Sequence, residues 1–233
     1  MGYALVGSAG AVDTGASGGA ITPSYGQTTT LHNLLILQVD GFGTATLPAA
    51  ITNWSIAKQQ AGTSCSTSIY YKVAAGSDGQ PTVAAVTSTT LVGQLFEFSG
   101  GAASSPIDKI GGAAGTTSPI TGTNGGVDTA SSELIIVCGC SFYSSASGTK
   151  TLALTSNNAT LTSSTNQNAA ITQVYDFAYG VTTSNSGADT GINTFSITNI
   201  TGAAVAVATF LLPASARIQP SIHTQAVRRA STW

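Results

Sequence analysis

One short stretch constrains the fold of this chain more than any other. It is Leu34–Phe42, which reads LLILQVDGF. Its first four residues are all apolar, so a strand built from them has no polar face, which is typical of a central strand covered on both sides. A similar stretch, LIIVCGCSF, follows at residues 134–142. The two stretches predict equivalent central strands in two parts of the chain.

Other segments extend this correspondence in the same order. Residues 173–179 match 68–74, residues 193–198 match 82–87, and residues 205–212 match 91–98 with Phe210 against Phe96. The distance in sequence between matching residues grows from about 100 to about 114, as loop insertions between aligned strands would produce. We interpret the pattern as an internal repeat. The alternative is that strands rich in Thr and Ala resemble one another.

The remaining pattern predicts short strands separated by Gly, Ser and Asp turns. In the first half these strands are residues 3–12, 19–24, 34–39, 54–57, 68–74, 82–87 and 91–98. No segment shows sustained helical periodicity. The predicted fold is therefore all-β: a β-sandwich, jelly-roll-like, built from two similar halves of about 100 residues.

The predicted boundaries follow from the repeat. Residues 1–100 form a first sandwich repeat, residues 101–213 a second, and residues 214–233 an extended basic tail. The Gly- and Ser-rich segment 100–132 reads as the start of the second repeat rather than as a linker. The halves can be tandem sandwiches or one merged sandwich. The doubly apolar strands and the absence of a charged or Pro-rich hinge favour the merged form.

Composition excludes several classes of protein. Only 7% of the residues are charged and the formal net charge is −2, so no global basic field attracts nucleic acid. The N-terminus lacks the features of a signal peptide, and no apolar run approaches the roughly 20 residues of a membrane span. We expect a folded chain that is made in the cytoplasm, is not secreted through a signal peptide, and has no membrane or nucleic-acid partner.

The three cysteines indicate neither a disulfide framework nor a metal site. Their number is odd, and Cys138 and Cys140 share one face of a predicted strand. A Cys-X-Cys metal site needs further ligands, and Cys65, His32 and His223 lie at unhelpful spacing. We expect the cysteines to be structural, with no metal and no cofactor in the protein.

Two Asp-Thr-Gly triplets are the strongest sign of catalysis. They begin at Asp13 and Asp189, and VDTGAS at residues 12–17 is similar to the motif of aspartic proteases, in which two carboxylates activate a water. The triplets do not occupy matching points of the repeat, and Asp128-Thr129, which comes nearest to a match, lacks the glycine. Turn formation is the simpler interpretation. The other carboxylates are scattered over turns, so we expect no enzyme.

The segment after Pro213 differs from the rest. It contains all three arginines of the chain and no acidic residue. One interpretation is a solvated terminus. The other is an arm that grips a neighbouring subunit, with Arg217, His223, Arg228, Arg229 and Trp233 as the partner-binding residues.

The whole pattern, including runs such as YYKVAAG at residues 70–76 and LFEFSG at residues 95–100, resembles virion structural proteins of tailed bacteriophages. These include capsid decoration proteins, minor tail proteins and fibre modules. The resemblance implies a structural role in the virion, with other virion proteins and copies of this chain as partners.

A second class of function stays open. An adhesin or carbohydrate-binding sandwich uses exposed aromatic rings as stacking platforms, here for a host-surface glycan. The candidates are Trp54, Tyr70, Tyr71, Tyr143 and Tyr179. The simpler interpretation is that these rings fill the core.

Overall fold

The computed structural model describes residues 2–6, 13–25, 27–101, 104–145, 150–163, 166–168, 172–185, 187–196 and 198–212, with the backbone alone at 13–14 and 166–168. The described residues contain strands and no helix. The strands are β1 (Ala4–Leu5), β2 (Asp13–Thr14), β3 (Leu34–Phe42), β4 (Ser55–Ala61), β5 (Cys65–Val73), β6 (Thr90–Ser99), β7 (Ile107–Gly115), β8 (Ile120–Val127), β9 (Leu134–Tyr143), β10 (Leu152–Thr155), β11 (Thr162–Ser163), β12 (Asn166–Asn168), β13 (Gln173–Val181), β14 (Ala188–Phe195) and β15 (Ile200–Phe210).

These strands form three antiparallel sheets. The first large sheet has the order β1-β6-β3-β5-β4, with β2 also paired to β6. The second large sheet has the order β11-β13-β9-β15-β7, with β12 also paired to β13, and the small third sheet is β10-β14-β8. The prediction of an all-β sandwich is confirmed.

The two large sheets share one pairing register around their central strands. In the first sheet Leu34 lies opposite Val73 and Phe98, and in the second sheet Leu134 lies opposite Val181 and Phe210. Phe210 therefore occupies the place of Phe98, so its predicted match with Phe96 was wrong by two residues. Residues 173–179 occupy the places of 65–71, so their predicted match with 68–74 was wrong by three. A shift of two keeps every side chain on the same face, so the hydrophobic pattern could not reveal it. The internal repeat itself stays a prediction.

The two large sheets pack face to face. Leu34 and Ile36 of β3 share one buried cluster with Leu134 and Ile136 of β9. Beside them, Phe96 stacks on Phe177, with ring centroids 3.5 Å apart and planes 10° from parallel. The largest part of the core therefore draws its side chains from both sheets.

The outer face of each large sheet is covered as well. In the first sheet Leu35, Leu37 and Val39 pack against Ile21 and Val83, which belong to irregular segments. In the second sheet the alternate residues of β9 and β15 pack against the small sheet, through Leu152, Leu154 and Phe195. All nine residues of β3 are buried, as the doubly apolar pattern predicted.

Two segments differ from the sequence-based expectation, and a third agrees with it. Residues 19–24 and 82–87 are not strands, and one isolated bridge between Ile21 and Val83 joins them. Both residues are buried, but Pro23 and Pro81 have no N–H to donate to a ladder, so these segments cover the core with side chains and this single bridge. Residues 100–132 contain β7 and β8 and are not a linker.

Glycine allows β7 and β8 to approach closely. A Cβ atom on Gly111 of β7 would lie 1.4 Å from the carbonyl oxygen of Thr123 on β8. No side chain fits there, which explains why this position requires glycine. The close approach also brings the start of β7 near the end of β8.

The predicted arm lies outside the described residues, which end at 212. This holds for Arg217, His223, Arg228, Arg229 and Trp233. The proposed partner-binding role of these residues therefore stays a prediction.

The stacked ring pair provides a test of the shared core. We expect Phe177→Ala to lower the free energy of unfolding by about 3–5 kcal/mol, since it removes a buried ring and leaves a cavity. Val181 on the same strand is 38% exposed, and Val181→Ala should change stability by about 0.5 kcal/mol or less. Urea denaturation of the two variants measures the difference. Equal losses would contradict a core shared between the sheets.

Candidate functional site

Three carboxylates meet where the second large sheet begins. Asp108 lies on β7, Asp128 directly follows β8, and Glu133 directly precedes β9. One oxygen of each lies within 4.8 Å of the corresponding oxygens of the other two. The close packing of β7 against β8 brings Asp108 to Asp128, and the turn at 128–133 returns the chain to Glu133. With Asp189 of β14, described below, we call this group the carboxylate cluster.

Asp108 is the best bonded member of the cluster. Its Oδ2 accepts a hydrogen bond of 2.6 Å from the backbone N–H of Thr129, and its Oδ1 is bonded by the Thr129 hydroxyl. The Lys109 ammonium lies 3.3 Å from Oδ1. Burial opposes ionisation, but these donors hold the pKa of Asp108 below its ordinary value.

Asp128 is 3% exposed and is hydrogen-bonded through one oxygen only. Its Oδ1 accepts bonds from Asn124 Nδ2 at 2.8 Å and from the Thr209 hydroxyl at 3.3 Å. Its Oδ2 is buried without a hydrogen-bond partner. Burial and the adjoining Asp189 carboxyl raise the pKa of Asp128 to about 7.

Asp189 completes the cluster from β14. It is 1% exposed, and its side chain lies within hydrogen-bonding reach of Asp128. Asn158 Nδ2 donates to its Oδ1 at 2.7 Å, and its backbone N–H donates to Asn124 Oδ1 at 3.0 Å. Its Oδ2 is buried without a partner. Asn124 therefore holds the two aspartates side by side.

Glu133 shows the same incomplete bonding. It is 1% exposed, its Oε1 accepts from the backbone N–H of Ala130 at 2.8 Å, and its Oε2 is buried without a partner. Burial, followed by the charges of Asp108 and Asp128, raises the pKa of Glu133 to about 8. The cluster offers closely spaced oxygen ligands of the kind that bind hard divalent cations.

A small cavity leads towards the cluster. It has a volume of about 230 Å³, is open to solvent, and is lined by Asn157, Asn158, Ser184, Gly187, Ala188 and Asp189. Asn158 thus contacts both the cavity and a cluster carboxylate. An ion or a water has a route to Asp189 from outside.

A second pair of buried acidic residues lies on neighbouring strands of the two large sheets: the Asp40 side chain faces the other large sheet, whereas the Asp176 side chain faces the small sheet. Asp40 of β3 and Asp176 of β13 are 0% and 1% exposed. Gln38 Nε2 donates to Asp40 Oδ2 at 2.5 Å and to the backbone carbonyl of Asp176 at 3.0 Å. The Ser163 hydroxyl lies 2.6 Å and 2.7 Å from the two oxygens of Asp176. A polar network therefore crosses the apolar core.

Burial raises the pKa of Asp40 well above its ordinary value, and the charge of Asp176 raises it further. Among the described residues, Cys138, Cys140 and Tyr175 also interact electrostatically with Asp40, and burial raises their own pKa values. None of them is cationic. Asp40 is therefore more easily accommodated in the folded protein as the neutral acid.

The difference between the pKa of Asp40 in the folded protein and in the unfolded chain predicts how stability depends on pH. An unfolded aspartate loses its proton near pH 3.9, whereas folded Asp40 keeps it to a higher pH, so its contribution to stability falls as pH rises above about 4. We expect Asp40→Asn, which cannot ionise, to gain at least about 1 kcal/mol relative to the native chain between pH 4.5 and pH 8. Urea denaturation at both pH values measures this gain.

Asp78 provides the control for that measurement. Hydrogen bonds from Lys72 and Thr29 outweigh burial and lower the pKa of Asp78, so this residue stays ionised over the whole window. The effect of Asp78→Asn should therefore be the same at pH 4.5 and at pH 8. If the effect of Asp40→Asn on stability is likewise equal at pH 4.5 and at pH 8, the pKa of Asp40 is not raised.

The five candidate aromatics divide into two groups. Tyr70 and Tyr143 are buried, and Tyr71 and Tyr179 pack against the core between the sheets. Trp54 is half-buried and lines an open cleft of about 390 Å³. The cleft is otherwise lined by Ile51, Thr52, Asn53, Lys72, Gly79, Gln80, Pro81 and Thr82. The structure therefore places one of the five rings at a solvent-open polar cleft.

The two Asp-Thr-Gly triplets lie in different sheets. The backbone of Asp13 belongs to β2, which pairs with β6 in the first large sheet. Asp189 belongs to β14 in the small sheet, where it meets Asp128. The carboxylate beside Asp189 thus comes from the Asp128-Thr129 pair, the one that lacks the glycine.

The three cysteines are buried free thiols. Cys138 and Cys140 both contribute to clusters between the large sheets, as expected for residues that share one face of a strand.

Sequence reasoning missed the carboxylate cluster. Its members extend from residue 108 to residue 189 and belong to no motif of fixed spacing. A weak signal was present, since Asp128 and Glu133 flank two strands at the same turn. That signal does not show that Asp108 and Asp189 join them.

No protein-family model matches the chain, and comparison with curated proteins and with solved structures found no match either. Within the described part of the chain, no helix is long and apolar enough to cross a membrane.

Proposed function

We propose that the chain is a structural component of a bacteriophage particle, a capsid decoration or minor tail or head protein that acts through contacts between subunits. In this proposal the chain is made in the host cytoplasm and functions in the virion. The resemblance in sequence pattern suggests the class. A pair of neighbouring edge strands on a weakly charged surface supports it.

The edge strands β4 and β7 carry this argument. They end the two large sheets at the same side of the sandwich, where they contact one another: Lys58 and Gln60 of β4 lie about 3 Å from a Cβ built on Gly112 of β7. Ile56 of β4 is 40% exposed and Ile110 of β7 is 44% exposed. Unpaired strand edges that carry exposed apolar side chains favour association with another chain. We call this surface the β4/β7 edge, and its proposed occupant is a neighbouring subunit.

Substitution at this edge tests the proposal. We expect the native full-length chain to self-associate, and Ile56→Lys with Ile110→Lys to shift it towards the monomer, because charges on an edge strand oppose pairing. Val181→Lys, at a comparably exposed valine on β13, should leave association unchanged. Sedimentation velocity over a range of concentrations measures the mass.

The predicted C-terminal arm allows a second test of the same proposal. Deletion of residues 214–233 should reduce the occupancy of the chain on the particle that contains it, as should replacing Arg217, Arg228 and Arg229 with serine in the full chain. A native chain that remains monomeric and is not incorporated into any particle would contradict the proposed structural role.

A second candidate function is carbohydrate binding, favoured by the Trp54 cleft. A half-buried indole stacks on the apolar face of a sugar ring, and the neighbouring Asn53, Lys72 and Gln80 offer hydrogen-bond donors to hydroxyl groups. A host-surface glycan is the proposed ligand. Trp54 also packs against the outer core cluster of the first sheet, and it is the one aromatic side chain among the described residues that line the cleft.

A glycan array separates the two functions. If the cleft binds sugar, the native chain gives a reproducible set of bound glycans and Trp54→Ala loses them, with an expected loss of at least about tenfold in affinity. Val127→Ala, at an exposed valine outside the cleft, is the control. Binding that survives Trp54→Ala would exclude this cleft as the site.

A further inference from the structure

We propose that the carboxylate cluster of Asp108, Asp128, Glu133 and Asp189 binds one calcium ion. The site lies in the second half of the chain, away from the Trp54 cleft. It does not depend on the proposed role in a particle.

The spacing of the oxygen atoms fits one ion. Calcium binds oxygen ligands at about 2.3–2.6 Å, so two ligands on opposite sides of one ion are about 5 Å apart and other pairs are closer. The ligand oxygens of Asp108, Asp128 and Glu133 lie within 4.8 Å of one another. One ion between them can therefore contact all three.

The unpartnered oxygens provide independent support. When the carboxyl groups are ionised, Asp128 Oδ2, Glu133 Oε2 and Asp189 Oδ2 are buried and accept no hydrogen bond, in side chains that are at most 3% exposed. A buried carboxylate oxygen without a partner is costly, and three at one place are costlier still. Asp128 and Glu133 belong to the group whose oxygens lie within 4.8 Å of one another, so one cation would give both a partner, and it would also attract the adjoining Asp189 carboxylate.

Glu97 in the first half shows what a buried carboxylate looks like when protein groups alone stabilise it. It is 4% exposed, and its Oε1 accepts from the Thr30 N–H at 2.8 Å and from Asn33 Nδ2 at 2.6 Å. Its Oε2 accepts from Gln27 Nε2 at 3.1 Å. Both oxygens are satisfied, in contrast to those of Glu133. The chain can therefore satisfy a buried glutamate fully, but does not do so in the cluster.

The charge balance also points to a cation. Lys109 contacts Asp108 at 3.3 Å, and its side chain is 31% exposed. No other ion pair to the cluster occurs among the residues that the structure describes. Neighbouring carboxylates without counter-ions repel one another, and a divalent ion offsets that repulsion directly.

The chemistry of the ligands favours calcium. The cluster contains carboxylates, with the hydroxyl groups of Thr129 and Thr209 hydrogen-bonded to it, and no thiol or imidazole contributes to it. Oxygen-only sites suit calcium and magnesium rather than zinc or copper. Several carboxylates around one ion suit calcium, because magnesium keeps most of its water and accepts few protein ligands.

A bound ion would connect parts that are distant in sequence. Asp108, Asp128 and Glu133 lie at the ends of β7, β8 and β9, and Asp189 lies on β14 of the small sheet. One ion would therefore hold the small sheet on the outer face of the second large sheet. The cavity beside Asp189 provides the entry path.

Calcium titration of the native full-length chain is the primary test. After removal of divalent ions with a chelator, isothermal titration with calcium chloride should show one site per chain. At a free calcium concentration a hundred times Kd, the Tm should rise by about 5–10 °C. If calcium produces neither binding heat nor a Tm shift, the proposal is wrong. Protonation alone then neutralises the buried carboxylates.

Variants locate the site. Asp128→Asn and Glu133→Gln keep side-chain shape and remove a charge, and each should weaken calcium binding at least about tenfold. Glu97→Gln, the matched control, should bind calcium as the native chain does. If the cluster variants bind normally, or if Glu97→Gln loses binding equally, the cluster is not the site.

Two further measurements keep the test decisive where a variant folds poorly. Asp189→Asn alters the cluster from the small sheet alone and should also weaken calcium binding. Magnesium chloride titrated into the native chain should bind at least about tenfold more weakly than calcium. Equal affinity for the two ions would overturn the assignment to calcium.

Discussion

The packing of β3 against β9 is the constraint on which the rest of the molecule depends. Both strands are central in their sheets and both are apolar on two faces, so each needs a cover on either side. The two strands cover each other on the inner side, and the Phe96–Phe177 stack lies beside them. The outer sides then need separate covers, which the irregular segments provide in the first half and the small sheet in the second.

The two halves differ in what covers the outer face of their large sheet. In the first half the cover is held by side chains and one isolated bridge. In the second half the cover is the small sheet. Its strand β8 follows β7 in the chain, and β7 belongs to the large sheet that the small sheet covers. Glycines at the crossing let the two backbones touch, and the same crossing gathers Asp108 and Asp128. The carboxylate cluster is thus a consequence of how the second half is covered, and the proposed calcium ion would hold that cover in place.

The central strands could be predicted because their signal is local. Four adjacent apolar residues at Leu34 and at Leu134 already indicate two buried faces. Residues 19–24 and 82–87 have the same apolar and β-branched character, and yet they form no strands, because a strand also needs a partner with free N–H and C=O groups. The match of Phe210 with Phe96 rather than Phe98 failed because a two-residue slip changes no face. The candidate site was not predictable, since Asn124 hydrogen-bonds both Asp128 and Asp189 across 65 residues of chain.

The amino-acid sequence by itself determined the all-β class and the two central strands, since alternation and apolar runs are properties of neighbouring residues. Only the tertiary structure decided which polar groups meet. It buried Asp40 and Asp176 on two faces of the sandwich, placed Trp54 at the rim of an open cleft, and brought four carboxylates to one point. Contacts of this kind depend on which strands become neighbours, and long-range pairing leaves no periodic trace in the sequence.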